Sequence, residues 1–291
     1  MNRVAIFGCG YVGSRVAQRH IDLNDKVTGF VRTQLSVERL EAIGIKPALL
    51  DLDASIGDLS DLEGVELYYF TSPPKEGETD PRVERLIHGF RQAGHPRRVV
   101  YISTTGVYGD CGGMWVDETR SLNPQADRAK RRVAAEERWR KWSSDSGGEL
   151  VILRVAGIYG PGHLPLKRIQ KGLPLLNEEE APYTNRIHVD DLVKVCVASM
   201  GRAKNGAVFN VSDGHPSTMV DYFFRIADLY GLPRPPLINR QEAEQQLSKG
   251  MLGYMNESRR LSNDKMLEEL GLTLDYPDLQ TGLPACIEQG E

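Results

Sequence analysis

The sequence predicts an α/β fold, a doubly wound parallel sheet with a smaller second lobe, on three observations. Short apolar runs at 4–7, 26–31, 47–50, 65–70, 98–103 and 150–155 alternate with amphipathic stretches long enough to be crossover helices. A glycine-rich turn joins the first run to the first helix. Beyond Val155 the texture changes: Gly157, Gly160, Pro161, Gly162, Pro165, Gly172 and Pro174 break the chain into turns, as expected where it leaves a sheet.

The first strand, 4–7, runs directly into Gly8-Cys9-Gly10-Tyr11-Val12-Gly13 and then a helix over 14–23. This is G-x-G-x-x-G between a strand and a helix, the setting in which the motif binds a dinucleotide. Gly8 permits the tight turn, Gly10 lets backbone approach a pyrophosphate, and Gly13 lets helix and strand pack closely. The helix N-terminus adds amides and partial positive charge. Gly8, Gly10, Tyr11, Val12 and Gly13 are therefore candidate cofactor-binding residues.

The second strand, 26–31, ends at Arg32-Thr33, where an NAD site usually carries an acidic residue for the ribose hydroxyls. Arg32 can instead clamp a 2′-phosphate in bidentate fashion, which favours NADP(H) and leaves NAD open. The competing reading is a solvated surface arginine. Asp51-Leu52, after the third strand, is expected to flank the adenine, and Thr71-Ser72, after the fourth, to border the cofactor cleft.

A helix over 80–93 is ended by Gly94, with Pro96 blocking its continuation. Helical pattern returns at 189–200 and strand pattern at 207–211. These elements give a Rossmann-type dinucleotide-binding domain at 1–160, completed by about 187–211, with a smaller C-terminal α/β substrate lobe from 161–186 and 212–291.

A net charge of −4, with 40% hydrophobic and 26% charged residues, fits a globular chain with no general attraction to nucleic acid or an anionic membrane. Cys9, Cys111, Cys196 and Cys286 are too far apart for a zinc clip, and the six histidines lack ligand spacing. No apolar run approaches the roughly 20 residues that cross a bilayer. The expectation is a cytoplasmic protein with no metal, nucleic-acid or membrane role.

The segment Tyr101-Ile102-Ser103-Thr104-Thr105-Gly106-Val107-Tyr108-Gly109 resembles the strand-end signature of extended short-chain dehydrogenases/reductases, the NAD-dependent epimerase/dehydratase group. Leu153-Arg154-Val155-Ala156-Gly157-Ile158-Tyr159-Gly160-Pro161-Gly162, Asn185-Arg186-Ile187-His188-Val189-Asp190-Asp191-Leu192 and Phe209-Asn210-Val211-Ser212-Asp213 are similar to further segments of that group, in order. The compact glycine spacing resembles its atypical branch. The resemblance implies a nicotinamide beside the Ser/Thr strand end, a small-molecule substrate that is often a nucleotide sugar, and epimerase, dehydratase or reductase chemistry. A homodimer is left open. It also implies a hydroxyl, a tyrosine and a lysine acting together, with Thr104 in the hydroxyl position.

The sequence departs from that pattern because the Tyr-x-x-x-Lys pair is missing. In one register Lys130 is the lysine and Ala126 replaces tyrosine; in the other, set by Glu136, Arg132 replaces lysine and Arg128 replaces tyrosine. Arg128, Arg132, Ala135, Trp139 and Trp142 share one helix stripe, whereas Lys130, Ala134, Glu137 and Lys141 form a nearly all-charged one. The first stripe is expected to face the cleft; a basic solvated helix start is the competing reading. Thr104, Arg128 and Arg132 are the candidate active-site residues.

Arginine, with a pKa above about 12, cannot act as acid or base near neutrality, so the two arginines would hold an anion or stabilise an oxyanion. Tyr108, Tyr159, Tyr183, His163 and His188 are the alternative proton carriers, with Tyr108, Tyr159 and His188 expected to be structural. Lys167, Arg168, Lys171 and Arg186 are candidates for a substrate phosphate, with solvated charge expected for most. Two functions follow: an NADP-dependent enzyme with an atypical active site, or a non-catalytic NADP(H)-binding sensor or scaffold.

Overall fold

The structure, a computed structural model, describes residues 1–54, 56, 59, 62–247 and 249–288. Five strands, β1 (Arg3–Phe7), β2 (Lys26–Val31), β3 (Lys46–Leu49), β4 (Glu66–Tyr69) and β5 (Arg98–Thr104), join Glu149–Val155 and Val208–Val211 in one sheet. Every pairing in it is parallel. Across the sheet the order is Val208–Val211, Glu149–Val155, β5, β4, β1, β2, β3. The chain thus winds outward from β1 to β3, then returns to the other side of β1 for β4. The carboxyl ends of β1 and β4 flank that reversal, where an open parallel sheet leaves a ligand crevice.

Helices α1 (Tyr11–Asp22), α2 (Gln34–Ala42), α3 (Pro81–Ala93) and α4 (Asp127–Ser146) supply most of the cover. Because both faces are covered, central strands such as Arg98–Thr104 are buried along almost their whole length instead of alternating. One face packs Val4, Ile6, Val100 and Val151 against Val16 and Ala17 of α1 and against the Val189–Arg202 helix. The other packs Ala5, Phe7, Leu67 and Tyr101 against Leu86 and Phe90 of α3 and Trp139 and Trp142 of α4. A separate cluster around Tyr159, Tyr222, Phe223, Ile226 and Leu283 gathers the Met219–Leu229 and Leu279–Glu288 helices.

The orientation of α4 is fixed by a buried polar network. Glu136, with 0% of its surface exposed, accepts from Arg154 Nε at 3.2 Å and Nη2 at 2.9 Å, and from the Ser103 hydroxyl at 2.6 Å. Arg154 Nη1 donates to the Tyr108 hydroxyl at 2.9 Å, which donates to Asn210 Oδ1 at 2.7 Å. Buried charges persist only when paired and hydrogen-bonded, and this pair ties α4 to three neighbouring strands. Arg128, Arg132 and Glu136 are four residues apart, so locking Glu136 against the sheet turns both arginines toward its carboxyl edge.

Candidate active site

The glycine turn lies between the ends of β1 and β4. Gly8 has φ +85°, and a Cβ there would lie 2.7 Å from the Thr71 amide nitrogen, so both conformation and contact require glycine. A Cβ on Gly13 would lie 2.8 Å from the Gly8 carbonyl oxygen. Gly10 differs: a Cβ there would meet no atom within 4 Å, and Gly10 lines a cavity of about 540 Å³. What glycine keeps open at that position is ligand space, so the residues fit a dinucleotide pyrophosphate against the start of α1. Tyr11 donates its hydroxyl to the Pro161 carbonyl at 2.9 Å, and its ring stacks on His163 at 4.6 Å. Tyr11, Val12 and His163 all line the cavity.

At the β2 and β3 ends, Arg32, Ser36, Asp51 and Leu52 continue the lining. Arg32 is largely exposed and stands 3.8 Å from Asp53, whose carboxylate is claimed mainly by Arg82, with Nε donating at 2.7 Å. Arg82 holds Asp53 below the usual carboxylate range, and Arg85 stands 3.9 Å away. Three guanidinium groups thus surround one carboxylate, which leaves this end of the cavity net positive. Asp51 accepts from the Asp53 amide at 2.9 Å and Leu52 is buried. Thr33 does not line the cavity; its hydroxyl caps α2, accepting from the Ser36 amide at 3.3 Å.

Thr71, Ser72 and Arg82 close the β4 side. Arg82, missed in the sequence, donates to the Ser72 carbonyl at 2.6 Å. A signal was present: Asp80 caps α3 and Pro81 opens it, which places Arg82 in the first turn of a helix that starts at the carboxyl edge.

One turn of α4 serves two cavities. Arg132 lines the large one and donates to the carbonyls of Ile102 at 3.0 Å and Thr71 at 3.4 Å, and to the Tyr101 hydroxyl at 3.3 Å. Burial opposes its charge, but Tyr101 and Asp80 hold the guanidinium above the ordinary arginine value. Burial raises Asp80 in turn, and its Oδ2 is buried without a hydrogen-bond partner.

Arg128 lines a smaller cavity of about 180 Å³ with Thr104, Thr105, Tyr183, Arg186, Tyr254 and Arg259. Its guanidinium lies 4.1 Å over the Tyr254 ring. Thr104 is half-buried there, and its hydroxyl accepts from the Gly106 amide at 3.3 Å. Lys130, on the outward stripe, pairs with Glu78 at 2.5 Å. Arg131 is buried against the Gly77 carbonyl, outside either expected stripe.

A family model described as the NAD dependent epimerase/dehydratase family matches residues 82–212. A solved structure, of a conserved Silicibacter pomeroyi DSS protein described as functionally unknown, superposes at TM-score 0.88 with 33% identity, covering 100% of both chains. The chain belongs to the NAD-dependent epimerase/dehydratase family.

Among other family relatives, protein YeeZ of Escherichia coli K12 is 28% identical over 96% of this chain and 97% of its own. A 3-diazoavenalumate denitrifying reductase of Streptomyces sp. is 28% identical over 68% of this chain and 67% of its own. UDP-glucuronic acid 4-epimerase from Bacillus cereus, solved with UDP-glucuronic acid and NAD, shares the fold at TM-score 0.77 and 18% identity, covering 99% of each chain.

In this member of the family most alternative proton carriers are committed to structure. Burial pushes the Tyr108 phenol up to about 12 despite Arg154, and its hydroxyl belongs to the Glu136 network. Tyr159 is fully buried, raised by that burial, and donates to the Asp278 carbonyl at 3.3 Å. His188 is fully buried, lowered by that burial, and accepts from the Asp190 amide at 3.3 Å. Tyr183 and His163 remain at cavity walls, Tyr183 beside Thr104 and Arg128, His163 at the glycine turn. Of the basic residues after Val155, Arg186 lines the smaller cavity, whereas Arg168 turns inward to the Pro174 carbonyl at 3.0 Å.

Proposed function

We propose that this chain is an NADP(H)-dependent reductase in which fixed arginine charges stand where its relatives' chemistry uses a tyrosine and a lysine. The observation that carries this reading is Arg128 on the wall of the Thr104 pocket. Epimerisation and dehydration begin at a carbinol and need a base to take its proton as hydride leaves. A guanidinium with a pKa above about 12 cannot be that base. Reduction of an unsaturated carbon needs none: negative charge builds on the adjoining heteroatom, and a cation fixed nearby stabilises it.

When bound, NADPH supplies the hydride. Gly8, Gly10, Gly13 and the start of α1 hold the pyrophosphate, and Arg32, with Arg82 and Ser36 close by, holds the 2′-phosphate. Asp51, Leu52, Thr71 and Ser72 border the nucleotide, and Arg132 fixes the inner wall beside Ile102. Thr104 orients the substrate heteroatom, Arg128 stabilises its developing charge, and Tyr183 or solvent supplies the proton that completes the two-electron reduction. The Streptomyces relative, named as a reductase, supports this direction of chemistry. In this reading 161–186 and 212–291 form the lobe that covers the substrate.

The test is hydride tracing with NADPH deuterated at nicotinamide C4. Deuterium in the product, with one NADPH oxidised per turnover, is expected. Interconversion of nucleotide sugars without net cofactor oxidation would overturn the reading. A second reading, a non-catalytic NADP(H) sensor, is favoured by the structural commitment of Tyr108, Tyr159 and His188, and predicts tight NADPH binding with no deuterium transfer to any acceptor.

A further inference from the structure

Among the described residues, the pocket that holds Thr104 and Arg128 carries two guanidinium groups with no carboxylate at ion-pair distance. Its wall includes Arg128, Arg186, Arg259 and Glu257. Arg259 and Glu257 satisfy each other at 3.0 Å. Among the described residues, neither Arg128 nor Arg186 has a carboxylate within 4.0 Å. Arg186 donates to its neighbour's carbonyl, that of Asn185, at 3.0 Å and lies 4.4 Å over the Tyr222 ring. Burial lowers its guanidinium, and the carboxyl that acts on it, Asp213, is itself pushed up to about 7 by burial and so is only partly charged near neutrality. Enclosing a guanidinium without an anion is unfavourable, and a ligand that brings the anion relieves it.

Size and shape narrow the ligand. The cavity is about 180 Å³, below the roughly 300–1,000 Å³ of sites for drug-sized ligands, so a nucleotide sugar is too large for it. Guanidinium forks match planar carboxylates in bidentate fashion. Two tyrosines also stand on the wall, Tyr183 41% and Tyr254 54% exposed, beside Val155 and Ala156, which suits a flat apolar body. We propose that Arg128 and Arg186 bind a small planar carboxylate here, which, resting on the reductase reading above, makes such an acid the substrate class.

The experiment uses benzoate as anionic probe, benzamide as its neutral isostere and UDP-glucose as the nucleotide-sugar alternative, each titrated by calorimetry into the full chain saturated with NADPH. Benzoate is expected to bind at least 10-fold more tightly than benzamide, with UDP-glucose weaker than benzoate. Arg186→Gln and Arg128→Gln should each lose at least 10-fold in benzoate affinity while NADPH affinity stays within 2-fold. Equal binding of benzoate and benzamide, tighter binding of UDP-glucose, or no effect of either substitution overturns the carboxylate site. The wild-type comparison needs no variant to fold. If NADPH itself fails to bind, the reductase reading falls, and benzoate binding to the unliganded chain still decides the carboxylate site.

Discussion

The two cavities are neighbours built on opposite principles. The larger holds a backbone cradle: the Gly8 turn, the Thr71 amide against it and the start of α1, with Arg32 and Arg82 at one end. The smaller gathers side chains from separate segments, with Thr104 and Thr105, Arg128, Thr184 to Arg186, and Tyr254, Glu257 and Arg259 on its wall. A backbone cradle tolerates almost any neighbour but no Cβ at the wrong place. A side-chain pocket can exchange tyrosine for arginine and change its chemistry while the fold stands. The departure from the family pattern reaches both cavities through side chains alone, Arg128 on the wall of the second and Arg132 on the inner wall of the first, while the glycine cradle is untouched.

The contrast is most severely tested at Gly8. Gly8→Ala places a methyl group 2.7 Å from the Thr71 nitrogen on backbone at φ +85°, so NADPH affinity should fall at least ~100-fold, with stability lower by about 2–4 kcal/mol in denaturant titration. A normal affinity would mean that the turn is not the cradle. Glu136→Gln leaves Arg154 buried without its charge partner and should lower stability by about 3–5 kcal/mol. Turnover should drop with it, because α4 loses the anchor that aims both arginines; full activity at full stability would remove the network from the account.

Asp213, whose charge acts on Arg186 of the side-chain cavity, gives a pH signature. Its carboxyl is raised to about 7 in the fold from 3.8, so it binds a proton more readily folded than unfolded. Its stabilising contribution is complete below pH about 4 and is lost as pH rises through about 7, at most about 4 kcal/mol. Asp213→Asn should remove that slope, making the variant relatively more stable at pH 8 than at pH 5 in thermal melts. Identical pH profiles for the two proteins would place the proton elsewhere. The smallest effect is at the exposed Arg32. Arg32→Ala should weaken NADPH about 10-fold, roughly 1.4 kcal/mol, and leave NADH unchanged; equal loss of both discredits the 2′-phosphate clamp.

The same contrast explains what the sequence made legible. Apolar runs and turn residues are local signals, so the expected strands fall within a residue or so of those observed, the third as Lys46–Leu49 against an expected 47–50. The glycine cradle is six consecutive residues and was readable for the same reason. Helix periodicity placed Arg128 and Arg132 on the stripe shared with Trp139, since a stripe needs only spacing. Tyr254, Glu257 and Arg259 were out of reach, because nothing in their spacing brings them to Thr104; tertiary packing of the C-terminal segment does. Arg131, on neither stripe, is beyond sequence reading for a related reason: its burial depends on the Gly77 carbonyl, in a loop that periodicity does not describe.

In the proposed function adjacent turns of α4 serve different cavities, Arg132 the dinucleotide and Arg128 the reacting substrate. Fluorescence titration of NADPH into Arg128→Gln and Arg132→Gln tests it directly. Affinity within 2-fold of wild type is expected for Arg128→Gln and at least ~10-fold weaker for Arg132→Gln, which loses the donors to Ile102 and Thr71. Equal losses in both variants, or a greater loss at Arg128, would contradict it.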